Sequence, residues 1–316
     1  MVRFGIIGAG IIARKFADAC KQSKGAQLMA IASTSMERAN QFAQTFNVPK
    51  AYDSYKDLLN GPEIDAVYIA VINSKHLELI KQCAKAGKAV LCEKPFVLTK
   101  VDAKEVIALS KETNVLIMEA MWTNFLPATI QVKKWIDQEV IGKVRFMQTS
   151  FSSLVSQKDR QVLFNKALGG GGLHDVGIYC LAYSIHMFGA PTAQKSMVQI
   201  GETGVDEFGV TQLAFKNGVI AECRYGLKLN LDGNARIYGE EGYIVVHTFW
   251  KSTRCQRYNN DHELVETKDF EVVNGFIYQI DHFAALYQNK QIESKVNPLE
   301  QSLLFAQLFD SILEKE

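Results

Sequence analysis

The stretch "VRFGIIGAGIIA", Val2 to Ala13, decides how this chain is read. Its first half is a short, almost continuous apolar run, the pattern of a strand buried on both faces. Its second half, Gly8-Ala9-Gly10-Ile11-Ile12-Ala13, has the form G-x-G-x-x-A and opens a helical stretch reaching about Gln22. Gly8 permits the tight turn. Gly10 lets the backbone approach a pyrophosphate, and the small Ala13 lets helix and strand pack closely. The first helical turn, with Ile11 and Ile12, offers free N–H groups and the positive end of the helix dipole to the phosphates. The pattern predicts dinucleotide binding.

The unit then repeats. "AQLMAIAS", "AVYIAV", "AVLCEK" and "VLIMEA" read as strands; "MERANQFAQTF", "SKHLELIKQCAKA" and "TKVDAKEVIALSKETN" read as helices between them. Such alternation with short connections predicts a Rossmann-type parallel sheet with helices on both faces. Ligands of these sheets lie at the carboxyl ends of the strands. The second strand ends in Ser33-Thr34-Ser35, with Arg38 one helical turn on. An NAD site usually has an acidic residue here for the ribose hydroxyls. Hydroxyls plus a cation suit a 2′-phosphate instead, so NADP(H) is favoured. Were Arg38 only a solvated helix residue, NAD(H) would serve as well. The strand "AVLCEK", fourth counting the opening one, ends in Glu93-Lys94-Pro95, a lysine either aimed at the cofactor cleft or left on the surface.

Composition narrows the function classes. The chain has 316 residues, 47% hydrophobic and 22% charged, with a net charge of +1. That is globular composition with no overall field toward nucleic acid or anionic membrane. Six cysteines at wide, irregular spacing predict buried, reduced thiols and no structural metal. Arg14 and Lys15 close the N-terminal apolar run, which argues against a signal peptide. A cytoplasmic protein is expected.

From "KVRFMQTSFSS" onward short alternating strands dominate, and "FKNGV" and "GEEGY" read as hairpin turns. They predict a large, mostly antiparallel open sheet covered by helices on one face. The helices 172–189 and 273–290 are the expected covers. An amphipathic helix ends the chain, with Leu299, Leu303, Ala306, Phe309 and Leu313 near one face. The division expected is 1–120 for the dinucleotide and 121–316 for substrate binding and oligomerisation, with the junction between Glu119 and Pro127. In the second part stands "GGGGLHDVGIYC", Gly169 to Cys180, where four glycines precede His174, Asp175 and Tyr179. On a regular helix Asp175 and Tyr179 share a face, with Gly177 leaving room between them. Tyr179 also suits the buried stripe such a helix needs.

Taken in order, "GIIGAGIIA", "NSKH" (Asn73–His76), "AGKAVLCEKP" (Ala86–Pro95), "MEAMWTNFLP" (Met118–Pro127) and "GGGGLHDVGIY" (Gly169–Tyr179) resemble the Gfo/Idh/MocA family of NAD(P)-dependent oxidoreductases. The "MEAMWTNF" segment looks most like the branch containing dihydrodiol and NADP-dependent xylose dehydrogenases. The resemblance implies hydride transfer with a secondary alcohol or carbonyl of a sugar, cyclic polyol or trans-dihydrodiol. It implies catalytic roles for Lys94, Asp175 and Tyr179, and a cis peptide before Pro95. It places Asn73, His76, Glu93, Lys94 and Trp122 at the cofactor. It also implies a homodimer, or a dimer of dimers, through the second sheet. Trp122 and Phe125 either line the substrate pocket or pack in the core. Three positions depart from the family pattern: Ile72, Asn124 and His174. His174 either binds substrate, caps its helix or contacts solvent. Two other functions fit the same residues: a non-catalytic NADP(H) sensor, and a glycoside hydrolase or lyase that oxidises transiently with bound NAD.

Overall fold

The computed structural model describes residues 1–156 and 159–313. The chain forms two compact units. One comprises Met1–Trp122 with Asn274–Ala306; the other comprises Thr123–Val273 with the chain from Gln307 on.

The first unit carries six parallel strands: β1 (Val2–Ile7), β2 (Ala26–Ala32), β3 (Lys50–Tyr52), β4 (Ala66–Ile69), β5 (Ala89–Glu93) and β6 (Ile117–Ala120). Their order is β3-β2-β1-β4-β5-β6, the doubly wound Rossmann order, which reverses between β1 and β4. Helices α1 (Ile11–Cys20), α2 (Met36–Phe46), α3 (Tyr55–Leu59), α4 (His76–Lys85) and α5 (Lys100–Thr113) connect them. Every residue of β4 and β5 is buried, as a two-faced cover requires. Phe16 of α1 lies flat on Tyr68 of β4 at 3.7 Å and meets Phe4 of β1 edge-on at 5.4 Å. This contact draws α1 down onto the switch point. The edge strand β3 and the one-turn α3 are too short to impose a hydrophobic period, and sequence reading passed over them.

Helix α9 (Phe276–Gln288) corrects one expectation. It does not cover the second sheet; it belongs to the first unit, against α1, β1 and β2. Phe283 packs on Phe4 at 5.5 Å, and Asn274 Nδ2 donates to the Lys15 carbonyl at 2.9 Å. An amphipathic pattern shows that a face is buried, never against what. Helix α10 (Leu299–Leu313) is shared likewise: Leu299 and Ala306 join the Rossmann core, whereas Phe309 belongs to the second unit.

The second unit opens with α6 (Pro127–Asp137) and carries β7 (Val144–Ser152), β8 (Pro191–Ile200), β9 (Asp206–Phe215), β10 (Ile220–Gly226), β11 (Ala235–Gly239), β12 (Tyr243–Val246), β13 (Arg254–Tyr258) and β14 (Leu264–Asp269). A short α7 (Arg160–Leu163) follows β7, and α8 (Ile178–Phe188) precedes β8. The sheet order is β14-β13-β12-β11-β7-β10-β9-β8, antiparallel except where β7 meets β10. Helix α8 packs on β7 and β10, with Ser184 Oγ 3.4 Å from Cys223 Sγ. Strand β14 is an exposed, charged edge, so no apolar alternation announced it. Among the described residues, no helix is long and apolar enough to cross a membrane.

Candidate functional site

Each unit has one helix start built on glycine, and each of these carries candidate residues. In the first unit Gly8 sits at φ +103°, and a Cβ there would lie 2.2 Å from the Ala70 carbonyl oxygen, just past β4. Only glycine lets the turn after β1 close on the neighbouring strand end. Gly10 differs. Its backbone (φ −80°, ψ −174°) suits any residue, and no protein atom lies within 4 Å of an added Cβ. The space in front of Gly10 is open. Behind it, α1 starts without a side-chain cap and without an acidic residue in its first turn. Its neighbours α2, α3 and α5 are capped by Ser35, Ser54 and Thr99, which accept the N–H groups of Arg38, Asp57 and Asp102 at 3.4, 3.3 and 3.2 Å. A helix leaves its first N–H groups unsatisfied unless something accepts them. At α1 no side chain supplies that acceptor, and a phosphate would fit both the open space and the dipole. Ile11 and Ile12 stand exposed beside the opening, and Ala13 is buried beneath it.

The end of β2 holds the second element of a dinucleotide site. Ser33 is buried, with its N–H on the Tyr52 carbonyl at 3.1 Å. Thr34 is exposed, and Arg38 Nη2 donates to its Oγ1 at 2.7 Å. The guanidinium therefore folds back over the strand end, beside the hydroxyls. Two hydroxyl side chains and a cation complement a phosphate better than a ribose diol.

At the end of β5 the Lys94–Pro95 peptide is cis, as the resemblance implied, and Lys94 is half-buried. His76 is fully buried; its Nδ1 lies 2.8 Å from the Pro95 carbonyl and its Nε2 3.3 Å from the Val71 carbonyl. A neutral ring has one N–H for these two carbonyl acceptors, and the shorter contact, at Nδ1, suits the donor. Burial holds the ring's pKa below the ordinary histidine value. His76 thus ties the turn after Lys94 to the loop after β4, with both nitrogens facing backbone. Asn73 opens the 3₁₀ turn that precedes it. Glu93 is also buried and accepts the Tyr68 hydroxyl. Burial raises its pKa, with the pull of Tyr68, Lys94 and Lys15 opposing. Trp122 is half-buried and stacks on Phe276 at 5.0 Å.

In the second unit the glycine run leads into a wide π-helical turn, Leu173–Gly177, that continues into α8. Gly171 has φ +121°, and a Cβ there would lie 2.2 Å from Asp206 Oδ1. The other oxygen, Oδ2, accepts the Leu173 N–H at 2.5 Å. Asp206 of β9 therefore occupies this helix start. Burial pushes its pKa up to about 7, against the pull of the Leu173 and Gly172 N–H groups. Sequence reading missed this residue, whose only signal is the carboxylate pair Asp206-Glu207 that opens the strand.

The same segment revises two expectations. Gly177 faces the sheet: a Cβ there would stand 2.8 Å from the Tyr225 ring, so it serves packing, not room between Asp175 and Tyr179. The π turn also interrupts the regular helix on which those two residues were expected to share a face. Tyr179 is buried against Phe151 at 5.3 Å, and Phe151 stacks on Trp250 at 3.6 Å; Asp175 is half-exposed. His174 is buried, with Nδ1 3.2 Å from the Gly170 carbonyl and its ring edge-on to Phe309 at 4.9 Å. Of its three expected roles, an internal bond at the helix start is the one these contacts serve. Phe125 and Asn124 are buried in a short 3₁₀ turn whose Thr123 Oγ1 donates to the Trp250 carbonyl at 2.9 Å.

A Rossmann unit with an open, uncapped glycine turn and a lysine at a strand end, followed by a large mixed sheet, defines a dinucleotide-dependent oxidoreductase. Residues 2–121 match the model of the oxidoreductase family with an NAD-binding Rossmann fold, and residues 129–245 match the GFO/IDH/MocA C-terminal domain. The chain belongs to the Gfo/Idh/MocA oxidoreductase family. It is 34% identical to trans-1,2-dihydrobenzene-1,2-diol dehydrogenase of Mus musculus, over 98% of this chain and 95% of that protein. It is 32% identical to the NADP(+) scyllo-inositol 2-dehydrogenase of Bacillus subtilis, over 98% of this chain and 95% of that one. A 3-ketoreductase from Actinomadura kijaniata, solved with NADP and TDP-benzene, superposes with a TM-score of 0.89 at 26% identity, covering 98% of this chain and 96% of the other.

Proposed function

We propose that this chain is an NADP(H)-dependent dehydrogenase that interconverts a secondary alcohol and its carbonyl on a polyol, sugar or trans-dihydrodiol. The carrying observation is that the uncapped start of α1, the Arg38–Thr34 pair and Lys94 all stand at the carboxyl ends of one parallel sheet. The dihydrodiol and inositol dehydrogenases named above support the reaction class. Their names also weigh against a sensor or a hydrolase.

NADP(H), when bound, supplies or accepts the hydride. Gly10, Ile11 and Ile12, on the turn that Gly8 allows, would hold the pyrophosphate, and Ser33, Thr34, Ser35 and Arg38 would hold the 2′-phosphate. The Lys94 ammonium polarises the substrate oxygen. Tyr179 takes the hydroxyl proton during oxidation and returns it during reduction. Free tyrosine titrates near ~10, so a neighbouring cation is needed to make it a base at neutral pH. Asp175 binds a second hydroxyl, and Trp122 forms an apolar wall for the ring. The test is a panel of polyols, sugars and dihydrodiols run with NADP⁺ and NAD⁺ side by side, read by reduced-nicotinamide absorbance and product analysis. Turnover favouring NADP⁺ is expected; binding without turnover, or product without net cofactor change, would sink the reading. Tyr179→Phe should lower kcat by roughly 10² to 10⁴. Near-normal turnover would pass the acid–base role to Lys94.

We further propose a homodimer through the second sheet. Residues alternating away from α8 form an aromatic row: Phe146, Tyr238, Tyr243 and Tyr258, with centroid steps of 6.1, 5.7 and 4.9 Å. Ile220, 48% exposed, extends the row beside Phe146. A row of this kind on one open face suits a second copy. Six buried free thiols suit the reducing cytoplasm, where we place the protein.

A further inference from the structure

We propose that Glu119 is a positioning residue for Lys94: it grips the backbone just beyond the lysine and fixes the turn that carries it. The inference rests on the role of Lys94 proposed above. Pro95 has no N–H, so the first N–H after Lys94 is that of Phe96. That group donates to Glu119 Oε1 at 3.0 Å. The carbonyl of the same Pro95–Phe96 peptide faces His76 Nδ1 at 2.8 Å. One peptide plane, the next after the cis Lys94–Pro95 bond, is thus clamped at both ends by buried side chains from β6 and α4. Such a clamp fixes the backbone from which Lys94 projects.

The second oxygen of Glu119 extends the grip to the end of the chain. Oε2 accepts the Ser302 hydroxyl of α10 at 2.6 Å, and Asn297 Nδ2 donates to the Glu119 and Met121 carbonyls at 3.2 and 3.3 Å. Segment 297–302 therefore braces a turn some 200 residues earlier in sequence. Glu119 is buried to 2% exposure, and no bulk water competes for its oxygens. The ionisable groups around it are Cys92, Glu93 and Lys94 on the β5 side, while α10 supplies the Ser302 hydroxyl. Burial, aided by Glu93, pushes its carboxyl up to about 7; Ser302, Phe96 and Lys94 pull the other way. Near neutral pH the group therefore changes charge beside Lys94 while its Phe96 contact holds the turn.

Two independent readouts test this. In kinetics, Glu119→Ala should lower kcat by about tenfold to a hundredfold, as a misplaced catalytic group does. The NADPH dissociation constant should stay within about twofold, because the loss falls on the turnover step. Glu119→Gln, which keeps an acceptor for the Phe96 N–H, should lose less and should flatten the pH profile near neutrality. In NMR, isotope-labelled reductive methylation marks the lysines, and Lys94→Arg identifies the Lys94 signal. That signal should show an inflection near neutral pH in the wild type. It should lose it in Glu119→Gln, and the inflection should move upward in Ser302→Ala, where a donor to the carboxylate is gone. Should Glu119→Ala not fold, the last two variants decide alone. A Lys94 signal titrating identically in wild type, Glu119→Gln and Ser302→Ala overturns the proposal. A wild-type chain that oxidises no alcohol defeats the functional reading instead, and the NMR titration still decides the role of Glu119.

Discussion

The two glycine-built helix starts look alike in sequence and are opposites in structure. At Gly8–Gly10 the protein closes on the first glycine and leaves the second facing open space, with an uncapped helix behind it. At Gly169–Gly172 the protein fills the space itself: the Asp206 carboxylate lies against Gly171 and accepts the Leu173 N–H. Each helix start sets backbone N–H groups toward an anion. At the second start that anion is a side chain; at the first the space is open, and the proposed occupant is the cofactor's pyrophosphate. A glycine-rich helix start therefore marks a place for negative charge, and the fold decides whether a carboxylate of the same chain takes it.

Adding a side chain at each of the two helix starts should break this comparison if it is wrong. Gly171→Ala meets a left-handed φ and a carboxylate oxygen, so it should destabilise the fold by about 3 kcal/mol or more. Thermal unfolding would show it as a Tm drop of several degrees. Gly10→Val meets neither, and its Tm should stay within about 2 °C of wild type. Its NADPH affinity should fall by about thirtyfold, which titration of the cofactor against protein fluorescence would measure. A Tm loss in Gly10→Val with unchanged affinity would reverse the assignment.

A smaller effect belongs to the cation at the end of β2. Arg38→Ala should raise the KM for NADP⁺ by about tenfold and leave that for NAD⁺ nearly unchanged, since one charge-assisted phosphate contact is lost. Equal changes for both cofactors would return Arg38 to the solvated role.

The smallest effect lies at Asp206. Its folded pKa, up to about 7, exceeds the ordinary aspartate value. The folded state thus holds the proton more tightly than the unfolded state. The stability linked to that proton is present below about pH 4 and is lost as pH rises toward 7. Asp206→Asn removes this dependence while keeping an acceptor for the Leu173 N–H. Its Tm relative to wild type should therefore climb by about 3 °C between pH 4.5 and 7.5. A flat difference would show that Asp206 is ionised throughout.

Legibility followed the range of the interactions. The alternating strands of the first unit and the G-x-G-x-x-A turn were readable because each is set by neighbours within a few residues, whereas the cis Lys94–Pro95 peptide was expected only from the family resemblance. Strand β3 and the charged edge β14 were not, since neither carries a period of its own. Helix α9 was seen as a helix and assigned to the wrong sheet. Among site residues, Gly8 and Gly10 were given different parts from their order in the motif, and the Ala70 carbonyl against Gly8 and the open space at Gly10 agree with that difference. His76 was expected at the cofactor, yet its nitrogens face backbone carbonyls. Asp206 and Glu119 went unnoticed because their partners lie about 33 and 183 residues away.

The sequence by itself determined the class of fold and the glycine turn after the first strand, because side-chain type and short spacing carry that information. Tertiary structure alone decided which glycines the fold closes upon, which histidines are sealed in the core and which carboxylates grip the turn after β5 and the helix start before α8. Those assignments depend on atoms brought together from distant segments, and desolvation on burial, not residue type, sets how such groups ionise.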